Sequence, residues 1–402
     1  MIALFRSKRP ARATIRLVKP AALLVAALFT SFAHAQPAGE LTIDEALRLS
    51  LSSQPGLDAY DRTARAFEEA AVAAEQLPDF RLFGGVRGFP VIGDTAFSYT
   101  TEPFTASFIG IGRRQTPRAR RQADSARLLA EASAAEAERL LTERRIEREV
   151  LVAWIDIVEA RERQAVLQNL IEERQGRYAL AEARVPTGSA SVADAIAARA
   201  DIAAIRAELS DARGDEAAAR AVLSRWIGEA AERPMTDNLP ICRVTPSLAR
   251  ASIDDHPQLA LARQRTTVAD RATDVARADR QPEWGWSARY EQRGGGRSDF
   301  IGFELSIDLP FNRGRLQDRR VAQAGELASA ARDRLEDRRR EVVAQLEEAL
   351  ARFSAAEARL ATTADETFPA LRAAEQAQEA RLEGGGGSLE SVLIASDRTT
   401  RT

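Results

Sequence analysis

Between Ile301 and Leu309 the chain alternates strictly. Ile301, Phe303, Leu305, Ile307 and Leu309 are apolar, and Gly302, Glu304, Ser306 and Asp308 between them are small or acidic. A period of two places the two sets on opposite faces of a β-strand. One wholly apolar face and one small or acidic face suit lipid on one side and water on the other. Nine residues also match the roughly 9–11 that a tilted strand needs to cross a bilayer. On this reading Glu304, Ser306 and Asp308 are candidates for a barrel lumen. Trp284, Trp286 and Tyr290 come before it, separated by the polar, Gly-rich loop "RGGGRSD". A half-buried strand of a soluble sandwich would alternate in the same way, but only about four strand-like segments are visible. They fall near 80–90, 103–113, 283–293 and 299–309.

Most of the remaining pattern is helical. Two very long Arg/Glu/Ala/Leu runs, 118–183 and 316–382, contain almost no Gly or Pro. At 1.5 Å per residue each predicts a helix about 100 Å long, several times the width of a small domain. Helices of that length have to pack on other long helices. Leu151, Trp154, Ile155 and Val158 fall on one face, as do Leu346, Leu350 and Phe353, and both stripes read as packing.

The chain also repeats itself. Residues 182–198, "EARVPTGSASVADAIAA", align without a gap on 379–395, "EARLEGGGGSLESVLIA", at an offset of 197. Upstream, "QPGLDA" at Gln54 resembles "HPQLAL" at His256. Each copy then runs through a polar helix to a Pro, an aromatic segment, a second strand, another Pro and the long helix. The repeats are expected at 36–234 and 235–402, with turns at 184–191 and 383–390. In the first copy the helix after the turn continues to about Ile227. In the second only fourteen residues follow Ser388, so a C-terminal truncation of the last returning helix is expected.

Residues 1–35 read as a cleaved secretory signal: a basic stretch, an apolar run from Ala21 to Phe32 and Ala33-His34-Ala35. The run is shorter than the roughly 18 residues of a membrane span. Removing its six positive charges takes the net charge from −2 to −8, which gives no reason to expect nucleic-acid binding. Catalytic chemistry finds no support. The mature chain has one His, His256, which reads as a cap or packing residue before Pro257, and one Cys, Cys242, in the connector between repeats. No catalytic, cofactor or metal site is expected. "GGGGSLES" lacks the Lys of a phosphate-binding loop and follows a helix.

Taken in order, the leader, the duplicated helix–strand–strand–long-helix unit and its punctuation resemble the TolC-type outer membrane efflux proteins, from about Leu41 to Thr402. "LTIDEALRLSLSSQPGLDA" looks like the family's N-terminal signature, and "ELSIDLPFNRGR" like its second strand-to-helix junction. The resemblance implies a mainly α protein with a small β part. Long antiparallel helical hairpins and four membrane strands per protomer would form a trimer, with a twelve-stranded outer-membrane barrel above an α-helical periplasmic tunnel. It further implies a passive exit duct docked on a periplasmic adaptor and an inner-membrane pump of the RND type. "PFTASFIGIGRRQTPRARR" (103–121) is similar to the branch serving heavy-metal pumps, although Arg113 and Arg114 leave the strand register from 108 to 117 open.

In that family the Gly/Ser turns lie at the periplasmic tip. Gly188, Gly385 and Gly387 would supply positive φ, and Ser191 and Ser388 would cap the returning helices. Asp194 matches an acid that helps constrict the family's pore mouth, and it also suits a helix N-terminus. The second copy has Ser391 and Ile394 instead. Two other classes stay open: a periplasmic adaptor, which should show one hairpin among many soluble strands, and a secreted coiled-coil scaffold, for which the aromatic-flanked strands would be superfluous.

Overall fold

The computed structural model describes residues 39–52, 54–186, 192–237, 244–384 and 389–401. All but Gly39 fall in a single unit, Glu40–Thr402. The expected leader lies outside the described residues. Along the chain come α1 (Ile43–Ser52), α2 (Pro55–Ala74), β1 (Arg81–Arg87), β2 (Ala106–Gln115), α3 (Arg118–Arg184) and α4 (Val192–Ile227). The second repeat follows as α5 (Pro246–Ala251), α6 (Pro257–Ala278), β3 (Trp284–Arg293), β4 (Phe300–Ile307), α7 (Gln317–Thr362), α8 (Phe368–Glu383) and α9 (Leu389–Arg401).

The duplication is visible in the punctuation. Helices α2 and α6 both open on a proline, Pro55 and Pro257, where the missing N–H would have had no helical partner. The returning helices α4 and α9 begin at Val192 and Leu389, the aligned positions of the two turns. Helix α4 ends at Ile227, and Gly228 follows with φ 60, the left-handed conformation that terminates helices.

The four strands form one antiparallel sheet in the order β1-β2-β3-β4. Pairing runs from Arg81↔Gly112 to Arg87↔Ala106, from Ala106↔Arg293 to Gln115↔Trp284, and from Trp284↔Ile307 to Glu291↔Phe300. The two repeats thus share a sheet, joined by the long β2–β3 ladder. Strand β2 continues through Arg113 and Arg114 to Gln115, which fixes the register left open by the sequence.

Helix α3, 67 residues long, is the spine: α2 and α4 pack along it in the first repeat and α6 from the second. One cluster gathers Leu41, Ile43, Ile146, Val150, Trp154, Ile157, Leu223 and Trp226 where α1, α3 and α4 meet. Lower on the hairpin, Leu167, Leu170 and Ile171 meet Ile202, Ile205 and Leu209. Alanines let α2 approach α3 closely, with Ala64 against Ala132 and Ala135.

Two expectations need correction. Ile155 is not in the buried stripe. It is 46% exposed, while Ile146, Val150, Trp154 and Ile157 carry the contact with α4. Each residue turns the helix by about 100°, so Ile155 follows Trp154 out of the interface. The second long helix is also not one α-helix. Residues Thr363–Thr367 form a π turn between α7 and α8. Pro369 has no N–H, and its ring collides with the carbonyl four residues earlier, so the ladder widens just before it. The Thr367 hydroxyl donates to the Thr362 carbonyl at 3.4 Å, five residues back. Leu346, Leu350 and Phe353 are half-buried on α7.

Candidate functional site

Residues directly opposite one another in an antiparallel ladder share a face, so the register sorts the sheet into two surfaces. One carries Leu82 and Val86, Ile109 and Ile111, Trp286 and Tyr290, and Ile301, Phe303, Leu305 and Ile307. Apart from Trp286, which is half-buried beside Phe80, these side chains are exposed. Ile109 is 56% exposed although β2 is hydrogen-bonded on both sides, and Phe303 is 83% exposed. A contiguous apolar surface of this kind needs a cover that is not water.

The other face is charged, with three phenylalanines set among the polar side chains. It carries Arg81 and Arg87, Arg114, Ser287, Arg289 and Glu291, and Glu304 and Ser306, together with Phe83, Phe108 and Phe300. A concavity of 690 Å³ runs along it, and Glu304, Ser306 and Asp308 line it together with Arg81, Arg114 and Arg289. The three residues singled out by alternation are therefore brought together, opposite guanidinium groups. Glu291 is the hub: Arg87 pairs with it, Arg289 Nε donates to it at 2.8 Å, and Arg289 Nη1 reaches Glu304 at 3.3 Å. Glu291 itself is 3% exposed beneath these partners.

Glycine makes this layer possible. Phe83 lies over Gly110 so closely that a Cβ there would sit 2.6 Å from the ring and 2.8 Å from the Ala288 carbonyl. Larger residues would lift the side chains off the sheet and crowd its concave face.

At the helix end of the apolar face sits Arg113, opposite Trp286. Its Nε donates to the Pro78 carbonyl at 2.8 Å, and its guanidinium lies 4.6 Å from the Phe80 ring centroid. Phe80 in turn meets Trp286 edge-on at 6.2 Å. Arginine and tryptophan at the margin of an apolar band are the usual occupants of a membrane–water interface. The available signal was an Arg closing an alternating run, but its partner lies across the β1–β2 pairing. At the loop end, the Tyr99 hydroxyl accepts from the Ser107 backbone N–H and donates to the Gln292 carbonyl, both at 3.0 Å. Arg297 donates to the Thr100 carbonyl at 2.8 Å, so the two hairpin loops are tied together.

Of the turn candidates, Gly188, Ser191, Gly385, Gly387 and Ser388 lie outside the described residues. Asp194 falls in the first turn of α4. His256 caps α6, its Nδ1 accepting from the Gln258 N–H at 3.3 Å, and burial holds the imidazole below its ordinary value. Near the hairpin base, burial alone would raise Glu216. Hydrogen bonds from Gln164, Arg161 and Arg220 outweigh it and hold the carboxyl below the usual range. Among the described residues no three His, Cys, Asp or Glu side chains converge to hold a metal, and no helix is long and apolar enough to cross a membrane.

A two-faced four-stranded sheet carried on duplicated long helices is the fold of the outer-membrane channels. No protein-family model and no curated protein matches the sequence. Solved structures do. The outer membrane protein VceC of Vibrio cholerae matches with a TM-score of 0.73 and 17% identity, over 89% of this chain and 90% of that one. The outer-membrane channel OprN matches with a TM-score of 0.71 and 18% identity, over 89% and 84%. CusC, described for its transmembrane channel formation, matches with a TM-score of 0.67 and 17% identity, over 92% and 90%. At these identities the likeness establishes the fold.

Proposed function

We propose that this chain is the outer-membrane exit duct of a tripartite efflux system, a passive channel in which no bond is made or broken. The observation that carries the reading is the sheet itself: an uncovered apolar face across four strands, backed by a charged, concave face. Lipid is the cover that suits the first, and water suits the second. Four strands cannot close, because the smallest bacterial barrels have eight and open edges are not tolerated in lipid. Three copies give twelve strands, and the duplicated helices would continue the barrel as a periplasmic tunnel. Partners on this reading are two further copies of the chain, a periplasmic adaptor and an inner-membrane pump. The turns containing Gly188, Ser191, Asp194, Gly385, Gly387 and Ser388 would form the tunnel's inner mouth, and Glu304, Ser306 and Asp308 would line the barrel. Residues 1–35 would direct export.

Heavy-metal cations are the cargo implied by the resemblance of 103–121. Such ions would pass a lumen whose carboxylates are balanced by guanidinium groups, which avoids a deep trap. The test is fractionation of cells expressing the full chain. The protein is expected in the outer-membrane fraction as a trimer, and deletion of its gene should sensitise the host to metals more than to organic drugs. A protein that stays soluble in the periplasm overturns the duct, and drug sensitivity alone overturns only the cargo.

A further inference from the structure

The two outer strands differ in charge. On the polar face β1 carries Arg81 and Arg87, while β4 and its continuation carry Glu304 and Asp308. Each of these strands is paired on one side only, so its other backbone edge is free. Three successive antiparallel pairings leave β1 and β4 antiparallel to each other. Pairing β4 of one copy with β1 of the next therefore keeps both copies in one orientation and generates a ring. Antiparallel pairing of either outer strand with itself would turn one copy end over end, so copies inserted the same way join only through the mixed joint. Backbone hydrogen bonds leave the register and strength of that joint open, and side chains set them.

We infer that the seam is charge-coded: where β1 of one copy pairs with β4 of a second copy, Arg81 meets the acidic edge of Glu304 and Asp308, and this pairing strengthens the joint. The inference rests on the duct reading and adds to it which side chains hold the joint. Like charges facing one another across a ladder are destabilising, and opposite charges are stabilising. Arg81 and Asp308 have no ion-pair partner of their own among the described residues, and Glu304 keeps 61% of its side chain exposed beside Arg289. Apolar side chains continue across the joint, Leu82 and Val86 on one edge and Ile301 and Phe303 on the other.

The test uses the full chain, exported and extracted from the outer membrane in mild detergent. Arg81→Glu should weaken assembly roughly fivefold at each seam, for a swing of about one cross-strand charge pair. Adding Glu304→Arg and Asp308→Arg to that variant should restore the oligomer. Because a charge reversal can also impair insertion, a second measurement maps the seam directly. In a Cys242→Ser background, cysteines at 81, 83, 85 or 87 are combined with cysteines at 304, 306 or 308 and oxidised. Within one chain the two outer strands lie three strand spacings apart, roughly 14 Å, beyond the reach of a disulfide. Covalent ladders of dimer and trimer from the mixed pairs, with none from single cysteines, are expected. A β1 cysteine that cross-links to itself, or a full oligomer yield from Arg81→Glu alone, overturns the charge code and leaves the duct standing. A wild-type chain that is monomeric or soluble overturns the duct itself.

Discussion

His256 shows how one side chain ties local structure to conditions. It caps α6 through Nδ1, which accepts only while the ring is neutral, and burial depresses its pKa below the ordinary 6.5. A depressed folded pKa contributes stability that is complete above the unfolded value and is lost as pH falls through the folded one. Asparagine caps helices without titrating near neutrality. Unfolding experiments on wild type and His256→Asn should therefore show the variant losing less stability between about pH 7.5 and about pH 5. Equal losses would remove the histidine from the pH response. Glu304, Ser306 and Asp308 were legible as a set because alternation needs no knowledge of a partner. Arg113 was not, since Phe80 and Pro78 reach it only through the β1–β2 register.

At the scale of elements, α3 depends on a narrow buried stripe. Trp154 is fully buried in it, with its indole N–H unpartnered. Trp154→Ala should cost about 3–5 kcal/mol, whereas Trp154→Phe loses volume but also removes an unsatisfied donor and should cost about 1 kcal/mol. Denaturant titrations in detergent separate the two, and near-equal losses would mean that the indole has a partner after all. The start of α3 was readable because Pro117 precedes it and the charged, Gly-poor run follows without interruption. The division of α7 from α8 was not, although Pro369 was in view, because a proline inside a long helix ends it, kinks it or is absorbed by a π turn according to the space available.

For the whole molecule the decisive asymmetry is between the two faces of the sheet. On the duct reading Phe303 faces lipid and Ser306 faces water. Phe303→Arg should then cost about 2–4 kcal/mol if it lies near the bilayer midplane and sharply lower the yield of outer-membrane oligomer. Ser306→Arg on the opposite face should assemble close to normally and change conductance in planar bilayers instead. Equal assembly of both variants would contradict a lipid cover on the Phe303 side.

By itself, the sequence determined whatever depends on period and punctuation. The two-residue alternation of 301–309, the long helical runs and the prolines and glycines that divide two similar halves are local properties of the chain, and they suffice for the fold class. Only the tertiary structure decided that β2 and β3 join the halves into one sheet, that Ile155 stays outside the α3 interface, and that arginine lies on one free edge and carboxylate on the other. These are matters of register between segments far apart in the chain. A slip of one residue would exchange the faces of a strand while leaving its own sequence pattern unchanged.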